Sequence, residues 1–512
     1  MKPTTRISET LCALFERRVR AAPGAPAVSA DGGEDMSYRL LDVTASRVAC
    51  RLRALGVGRD TPVALLMTRG VDLVVAVVAI VKAGGAYMPI PADFPDSQIR
   101  MMCSAADPIL VIADSKRLSR ASGFARAVAL SELMTPDGDG GAIADESRPD
   151  DLAYIAFTSG STGTPKGAQI PISAVTNLVV DTNYVEFSPN SVVGQLSNPG
   201  FDAFTFELWG ALLNGCHLHV LDHRMLAAAA PRLRSVAASR PTVLFLTTSV
   251  FHRLARAAPH SLAGLDTLVF GGEVADAQVV REFALRRLVG RLVNGYGPTE
   301  TTTFCAAWQV DAARLTTDDR TIPVGAAIAG ATLHVLDAAG NDAAVGSTGQ
   351  VCVGGMGLAR GYVGDPELTA ARFVNVPGRG RLYLTGDLGR RLPDDPALIE
   401  VLGRLDDQVK VRGYRVEPGE VEAVLRRHAS VDDAAVVPTR DARGDTTLVA
   451  YIVPGARQTV DRSALAAYLA DHLPAFMVPA KYTAVRSLPL DRNGKVDRKA
   501  LRSVTDLGGE DP

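Results

Sequence analysis

The chain has 512 residues, 47% of them hydrophobic, and its 54 basic and 56 acidic residues give a formal net charge of −2 at pH 7. This length exceeds what one hydrophobic core serves and predicts several folding units. The balanced charge offers no basic surface to a nucleic acid, so we expect no such partner. The longest apolar run, within residues 71–81, is too short to cross a bilayer. It predicts a buried helix that ends at Gly84, and no membrane association.

The cysteines and histidines indicate the compartment and exclude one kind of site. The 6 cysteines are scattered without a Cys-x-x-Cys pair, which is typical of buried thiols in a reducing cytoplasm. His217, His219 and His223 are close enough to suggest a metal site. However, His217 and His219 alternate within a strand-like run, which suits packing or surface positions as well as ligands. We therefore predict no metal site there.

The order of apolar runs predicts the fold class. Strand-like runs, such as residues 62–67, 152–157 and 242–246, alternate with helical stretches, such as residues 284–288, up to about residue 340. This pattern predicts an α/β fold with several layers. Residues 325–362 alternate glycine with Val and Leu and predict a β-rich subunit. We expect a large N-terminal domain at 1–402, a small α+β C-terminal domain at 403–505, and a polar tail at 506–512.

A loop rich in Gly, Ser and Thr follows the predicted strand 152–157 and ends at Lys166. Its N–H groups and hydroxyls can hold an anion, and Lys166 adds a compact positive charge. The loop is not a Walker A motif, because Gly167 rather than Ser or Thr follows the lysine and Pro165 opposes a helix. A flexible linker is the alternative, but linkers seldom follow a buried strand directly. The pattern predicts a polyphosphate site.

Two acidic turns follow predicted strands further along. In residues 294–301, Tyr296 can stack on a base and Glu300 can hold the Mg²⁺ that accompanies ATP. In residues 383–388, Asp387 is placed to accept the hydroxyls of a ribose. Each turn alone also fits a purely structural role.

Taken in order, these stretches resemble the core motifs of nonribosomal peptide synthetase adenylation domains, a branch of the adenylate-forming superfamily. Further stretches that match lie at residues 36–41, 81–90, 354–362, 403–422, 473–479 and 493–498. The resemblance implies an AMP-forming ligase that makes an aminoacyl-adenylate from ATP and releases pyrophosphate. It also implies a mobile C-terminal domain, and Asp406 as the hinge. The acyl acceptor is expected to be a phosphopantetheinylated carrier protein in trans, and a small MbtH-like accessory protein is left open.

The resemblance also assigns the nucleotide and catalytic residues. Lys495 follows a tight Asn-Gly turn. Without the resemblance, we would interpret this residue as an ordinary surface lysine. The resemblance makes Lys495, Glu300 and Lys166 catalytic, with Glu300 as the metal ligand. The residues implied to bind the nucleotide are Thr158, Ser159, Gly160, Ser161, Thr162, Gly163, Lys166, Gly272, Asn294, Tyr296, Gly297, Thr299, Asp387, Arg404 and Lys495.

The amino-acid pocket is implied in the same way. Asp202 matches the carboxylate that pairs with the substrate's α-ammonium, although it also fits an N-cap for residues 203–208. Two of the positions depend on strand register, because a slip of one residue turns the other face inward. The lining, with a small recess expected at its two glycines, favours an aliphatic side chain such as valine or isoleucine. The implied positions are Asp202, Ala203, Phe206, Phe245, Val269, Gly271, Gly295, Thr303, Phe304 and Lys495.

Two other functions remain open from the sequence. An amino-acid or acyl-CoA ligase would use a free thiol or amine as the acceptor. A non-catalytic, adenylation-like binding domain would use neither, but the presence of Lys166, Glu300, Asp387 and Lys495 argues against it.

Overall fold

The computed structural model describes residues 9–31, 33, 35–135, 143–160, 164–222, 241–317, 319, 321–411, 413–441, 445–455, 460–490 and 496–501. The chain divides into two compact units. Unit 1 comprises Met1–Ala92, Ala105–Phe157 and Gly167–Leu405, and unit 2 comprises Asp93–Ser104, Thr158–Lys166 and Asp406–Pro512. The predicted mixed α/β fold is confirmed.

Strands occur throughout the described part of the chain up to residue 404. They are β1 (Pro26–Ala30), β2 (Met36–Ser37), β3 (Pro62–Leu66), β4 (Ala86–Pro89), β5 (Leu110–Ala113), β6 (Ala127–Ala129), β7 (Leu152–Thr158), β8 (Lys166–Pro171), β9 (Val192–Gln195), β10 (His217–Val220), β11 (Val243–Thr247), β12 (Thr267–Gly271), β13 (Arg291–Tyr296), β14 (Ala306–Gln309), β15 (Ala326–Ala327), β16 (Ala331–Leu336), β17 (Gly349–Gly355), β18 (Phe373–Val376), β19 (Gly380–Arg391) and β20 (Ile399–Arg404).

Helices connect many of these strands, as an α/β fold requires. They are α1 (Leu11–Ala21), α2 (Tyr38–Ala54), α3 (Val71–Ala83), α4 (Asp96–Ala106), α5 (Leu118–Ala121), α6 (Leu130–Leu133), α7 (Ile172–Val179), α8 (Ala203–Leu212), α9 (Thr248–Ala257), α10 (Ala277–Leu285) and α11 (Pro366–Arg372). Short 3₁₀ turns lie at Pro259–Leu262, Thr299–Thr301 and Ala312–Arg314.

Three sheets organise unit 1. Nine strands form the first in the order β15-β14-β13-β12-β11-β9-β10-β1-β2, six form the second in the order β6-β5-β3-β4-β7-β8, and β16-β17-β19-β18 with β20 on β19 form the third. The strands from β13 to β1 of the first sheet run parallel, with antiparallel strands at both edges. The third sheet is antiparallel throughout and contains the predicted β-rich segment.

Local signals explain where helices begin and end. The apolar helix α3 is buried along most of its length and ends at Gly84, whose φ of 92° is left-handed, as predicted. The helical prediction for residues 284–288 is wrong beyond Leu285, where α10 ends. The chain turns there because Arg287 takes a positive φ of 50°. A stretch rich in Leu and Arg is compatible with a helix but does not reveal that turn.

Unit 2 contains a small α+β core. Its elements after residue 405 are β21 (Val409–Val411), β22 (Tyr414–Val416), α12 (Pro418–Leu425), β23 (Val431–Arg440), β24 (Thr446–Pro454), α13 (Arg462–Ala470), a 3₁₀ turn (Ala475–Met477), β25 (Lys481–Ala484) and α14 (Arg498–Leu501). Strand β24 pairs antiparallel with β23 and parallel with β25, while β21 and β22 form a hairpin. Apolar side chains of α12 and α13 pack on the three-stranded sheet.

Candidate active site

The register of three parallel strands decides which side chains face α8. Phe245 of β11 lies opposite Val269 of β12, and Gly271 lies opposite Gly295 of β13. Residues opposite one another share a face, and so do residues two apart on one strand. Phe245 and Val269 pack in the same core as Phe206 of α8, whereas their strand neighbours pack in a separate core. The structure therefore places the predicted pocket positions of these strands on one face.

Three aromatic rings fill this face. The ring of Phe304 lies 5.4 Å from that of Phe206 and 5.7 Å from that of Phe245, measured between centroids. A Cβ added to Gly295 would lie 2.8 Å from Phe304 Cε1, and one added to Gly271 would lie 2.2 Å from the carbonyl oxygen of Gly295. The recess expected at these glycines is therefore wrong, because a ring and a peptide group occupy that space.

A strained turn delivers Phe304 to this position. Thr302 and Thr303 have positive φ values of 56° and 65°, which branched side chains rarely adopt. Their hydroxyls help to hold the turn. Thr303 Oγ1 donates to the carbonyl oxygen of Asp202 at 2.8 Å, and Thr302 Oγ1 donates to that of Gly357 at 2.8 Å.

Asp202 directly precedes α8, and Ala203 is the first residue of that helix. The Asp202 side chain makes no capping hydrogen bond to the helix, so the N-cap alternative is not supported. Its Oδ2 instead accepts a hydrogen bond from Thr299 Oγ1 at 2.6 Å. Burial raises the pKa of Tyr154 well above its usual range, and the charge of Asp202 adds to that shift. The backbone of Asp202 is also joined to the turn that carries Phe304, through the hydroxyl of Thr303.

Glu300 lies in the 3₁₀ turn that follows β13 and is fully buried. The hydroxyl of Tyr362 donates to its Oε1 at 2.6 Å. Sequence reasoning included Tyr362 in the motif at 354–362 but gave it no place in the site. Its only signal there was its position in that glycine-rich stretch.

Asp387, which is predicted to bind the ribose, lies in unit 1 with two other predicted nucleotide-binding residues. Asp387 of β19 accepts a hydrogen bond from the hydroxyl of Tyr296 at 2.5 Å and one from Arg404 Nη1 at 2.6 Å. Burial, with Asp387 next to it, raises the pKa of Tyr296 well above its usual range. Asn294 has a different role, because its side-chain amide donates to the carbonyl oxygen of Pro323. Thus the structure brings Tyr296, Asp387 and Arg404 together.

Two glycines predicted to bind the nucleotide, Gly272 and Gly297, follow the ends of β12 and β13. Gly272 has a positive φ of 98°, which suits glycine. A Cβ on Gly297 would lie 2.5 Å from the carbonyl oxygen of Thr303. Both positions therefore require glycine for backbone reasons, whatever they bind.

The described ends of the phosphate loop belong to unit 2. Thr158 ends β7, and its buried hydroxyl oxygen makes no hydrogen bond within the described part of the chain. Such an orphaned hydroxyl is compatible with a ligand atom at that point. A Cβ on Gly160 would lie 1.9 Å from the carbonyl oxygen of Thr164, so only glycine fits. Ser161, Thr162 and Gly163 lie outside the described residues.

Acidic groups of unit 2 meet this loop. The N–H of Gly160 donates to Glu420 Oε2 at 3.3 Å, and Lys166 Nζ lies 3.8 Å from Glu417 Oε1. Ser159 Oγ donates to the carbonyl oxygen of Arg415 at 2.8 Å. Burial raises the pKa of Glu420 to about 7, against the opposing hydrogen bonds. The loop's N–H and ammonium groups are therefore able to hold oxyanions, here carboxylates.

The remaining predicted positions are simply located. Asp406 is the first residue of this last segment of unit 2, and its Oδ1 accepts from the N–H of Gln408 at 3.4 Å. Lys495 and His223 lie outside the described residues. His217 Nε2 and His219 Nδ1 each lie 2.7 Å from Ser29 Oγ. Among the residues that the structure describes, no group of three His, Cys, Asp or Glu is arranged for a metal ion, and no helix is long and apolar enough to span a membrane.

Comparison with protein-family models finds two matches. Residues 15–363 match the model described as AMP-binding enzyme, and residues 420–495 match that of the AMP-binding enzyme C-terminal domain. Together these matches cover most of the chain, and residues 364–419, which include Asp387 and Arg404, lie between them.

Known proteins and structures give the same grouping. The chain is 38% identical to gramicidin S synthase 2 of Brevibacillus brevis over 98% of its own length and 11% of that protein. It is 38% identical to tyrocidine synthase 3 of Brevibacillus parabrevis over 96% of its length and 8% of that protein. The chain thus spans about a tenth of the curated relatives it matches. A solved structure of holo-PA1221, an NRPS protein containing adenylation and PCP domains, superposes with a TM-score of 0.86 at 31% identity, over 96% of this chain and 84% of that one.

Proposed function

This chain belongs to the family of AMP-binding enzymes, as an adenylation domain of the nonribosomal peptide synthetase type, and we propose its reaction from that premise. It activates an aliphatic L-amino acid, valine or isoleucine first, as the aminoacyl-adenylate. It then transfers the acyl group to the phosphopantetheine thiol of a carrier protein. The sequence relatives are themselves peptide-antibiotic synthases, which supports an amino-acid rather than a fatty-acid substrate.

The observation that carries the proposal is the setting of Asp202. Its carboxylate does not cap α8, accepts a hydrogen bond from Thr299, and directly precedes the helix whose Phe206 packs against Phe304. A partly buried carboxylate favours a cationic ligand, because burial removes part of its water. The α-ammonium of an amino acid is such a cation, whereas a fatty or aryl acid carries none.

The first half-reaction forms one bond and breaks one. A carboxylate oxygen of the amino acid attacks the α-phosphorus of ATP, and the bond to the bridging oxygen breaks, so that pyrophosphate leaves. Lys166 and Lys495 offset the negative charge of the reacting groups in this proposal. Tyr296, Asp387 and Arg404 orient the nucleoside, because Asp387 lies between the other two.

Magnesium fits this arrangement as the companion of ATP. Mg²⁺ is usually bound through one or two carboxylates plus substrate phosphates, rather than by an all-protein cage. Glu300 is a single buried carboxylate, and the described residues show no group of three ligands. We assign Glu300 as the protein ligand. When bound, the ion would neutralise phosphate charge.

In the second half-reaction the carrier thiolate attacks the acyl carbonyl, a thioester bond forms, and AMP leaves with the electron pair of the broken acyl–phosphate bond. The division of the chain at Leu405 and Asp406 supports Asp406 as the hinge between the two steps. A carrier partner is supported by the similar structure that contains a PCP domain. Dependence on a small MbtH-like protein is a further proposal without direct support.

The proposal of an aliphatic substrate rests on the three aromatic rings that line the predicted pocket. Phe304 contacts both Phe206 and Phe245, and a Cβ added at Gly271 or Gly295 would meet a peptide oxygen or the Phe304 ring. Among the predicted lining positions, the only polar side chain apart from the two charged ends is Thr303, whose hydroxyl already donates to the carbonyl oxygen of Asp202. An apolar side chain of limited length suits this lining, but one methylene changes the selectivity by only about 1–3 kcal/mol.

Amino-acid-dependent exchange of pyrophosphate into ATP tests the proposal directly. The assay uses a panel of proteinogenic and unusual amino acids, with isovalerate as the acid that lacks an α-amino group. We expect valine or isoleucine to give the highest kcat/KM and isovalerate to give little exchange. Absence of exchange across the panel would support a non-catalytic domain. Equal transfer to free coenzyme A, or to an amine, and to a phosphopantetheinylated carrier would support the ligase alternative.

A further inference from the structure

Tyr362 lies in the glycine-rich segment at 354–362, which has a recognisable pattern but no role in the proposed reaction. Its side chain is 5% exposed, and its hydroxyl donates to Oε1 of the fully buried Glu300 at 2.6 Å. A carboxylate removed from water depends on such donors, because water no longer solvates it. The hydroxyl therefore fixes one oxygen of the Glu300 carboxylate.

The backbone of Tyr362 belongs to a second nucleotide element. It forms an antiparallel bridge with Ala168 of β8, and the N–H of Val363 donates to the carbonyl oxygen of Gly167 at 2.8 Å. Strand β8 begins where the phosphate loop ends. Tyr362 thus pairs through its backbone with β8 and reaches the Glu300 carboxylate through its hydroxyl.

Neighbouring contacts make this connection rigid. The N–H of Ala359 donates to the carbonyl oxygen of Glu300 at 2.9 Å, and Thr302 Oγ1 donates to that of Gly357 at 2.8 Å. The segment before Tyr362 is therefore tied to the backbone of Glu300 and to Thr302, two residues after it. The turn and the segment can be expected to move as one piece.

We propose that Tyr362 is a positioning residue for Glu300. Its hydroxyl orients the carboxylate toward the divalent cation of ATP. Its backbone pairs with β8 and so fixes the position of the carboxylate relative to that strand. The inference rests on the proposed function, in which Glu300 holds that cation. Partners that orient a metal-ligating carboxylate typically change metal affinity or activity by about 10- to 100-fold.

Tyr362→Phe tests this by removing one oxygen while keeping the ring, which makes an edge contact with Phe373 at 5.8 Å. Tyr383→Phe is the matched control, because its ring lies 5.0 Å from the same Phe373 and its hydroxyl lies 3.4 Å from that of Tyr362. Calorimetry measures the Kd of ATP with and without Mg²⁺, and exchange assays measure the Mg²⁺ concentration for half-maximal rate. Thermal unfolding of each variant reports the fold.

We expect Tyr362→Phe to weaken binding of Mg²⁺-ATP and raise the Mg²⁺ requirement by about tenfold or more, with metal-free ATP little affected. Tyr383→Phe should retain the wild-type preference for Mg²⁺-ATP. A wild-type Mg²⁺ response in Tyr362→Phe would overturn the inference. So would an equal loss for both forms of ATP, or an equal effect in Tyr383→Phe, since each indicates a purely structural role.

Glu300→Gln separates this inference from the proposed function. If the wild-type protein shows no amino-acid-dependent exchange of pyrophosphate, that result alone contradicts the proposed function. If the wild type is active but Glu300→Gln keeps the full Mg²⁺ preference, the assignment of Glu300 is wrong and the role of Tyr362 falls with it. If Glu300→Gln loses the preference while Tyr362→Phe keeps it, only the inference on Tyr362 is overturned.

Discussion

The hydroxyl of Thr299 donates a hydrogen bond to Oδ2 of Asp202 at 2.6 Å. Thr299 directly precedes Glu300, and Asp202 directly precedes α8. The contact therefore joins the turn proposed to serve the nucleotide to the carboxylate proposed to recognise the amino acid. It also explains why the Asp202 side chain is turned away from the helix N-terminus.

Asp202→Asn should raise KM for the amino acid by at least about 30-fold, because an ammonium left without its charged partner costs about 2 kcal/mol or more. The KM for ATP should stay unchanged. Steady-state exchange kinetics with valine and with isovalerate provide the measurement. Isovalerate has no ammonium and should lose less than valine does. An equal response of the two acids would rule out ammonium recognition by Asp202.

Lys495→Ala should lower the rate of adenylate formation by roughly 10²–10³, the usual effect of removing one preorganised charge. ATP binding and thermal unfolding should stay close to wild type. Single-turnover adenylation provides the measurement, and acyl transfer from pre-made adenylate is the internal control, since this lysine is assigned to the first step only. A rate of adenylate formation close to that of the wild type would contradict the assignment of Lys495 as a catalytic residue.

Asp406→Pro should impair thiol transfer more than adenylation. Proline fixes φ at the first residue after the division between the units, where the proposed rotation between half-reactions would need backbone freedom. Asp406→Ala is the matched control, because it removes the carboxylate that accepts from Gln408 but leaves the backbone free. Rates of the two half-reactions are measured separately. Equal loss of both steps in the proline variant would point to a folding defect instead.

Phe304→Ala should open the pocket and shift selectivity toward larger amino acids such as phenylalanine. The ring now fills the space in front of Gly295 and contacts Phe206 and Phe245. Removing it should also lower the free energy of unfolding, by about 3–5 kcal/mol for a buried phenylalanine. The ratio of kcat/KM values for phenylalanine and valine is the measurement. An unchanged ratio in a folded variant would place the substrate side chain elsewhere.

The acidity of Glu420 predicts a pH dependence of stability. Burial raises its pKa to about 7, above its ordinary value of 4.5, so the folded state holds a proton that the unfolded state releases between these values. The stabilisation is fully present below the unfolded pKa and is lost as pH rises through about 7. The groups facing it include Gln98, Glu417, Lys166 and the N–H of Gly160.

Glu420→Gln should therefore flatten the decline in thermal unfolding midpoint between pH 5 and pH 8, an interval set by the rise of the Glu420 pKa from its ordinary value of 4.5 to about 7. A glutamine oxygen can still accept from the N–H of Gly160, so the contact is kept while the titration is removed. Melting curves of the wild type and the variant across this interval give the comparison. Parallel curves would show that the Glu420 pKa is not raised in the folded protein.

The sequence by itself determined the elements whose signals are local. The apolar run at 71–81 and Gly84 predicted α3 and its end, because a buried helix requires apolar residues and a left-handed C-terminus favours glycine. The strand 152–157 and the non-helical loop after it were predicted in the same way, and strand β8 rather than a helix begins at Lys166. The family likewise followed from ordered motifs.

Only the tertiary structure decided how these pieces meet. The end of α10 at Leu285 depends on a positive φ at Arg287 that its residue type does not announce. The filling of the space at Gly295 depends on a strained turn that folds Phe304 back onto the strand end that precedes it. The hydroxyl of Tyr362 reaches Glu300 from 62 residues away. The first two features depend on backbone conformations that residue type does not specify, and the third on packing between distant segments, so local residue patterns do not predict them.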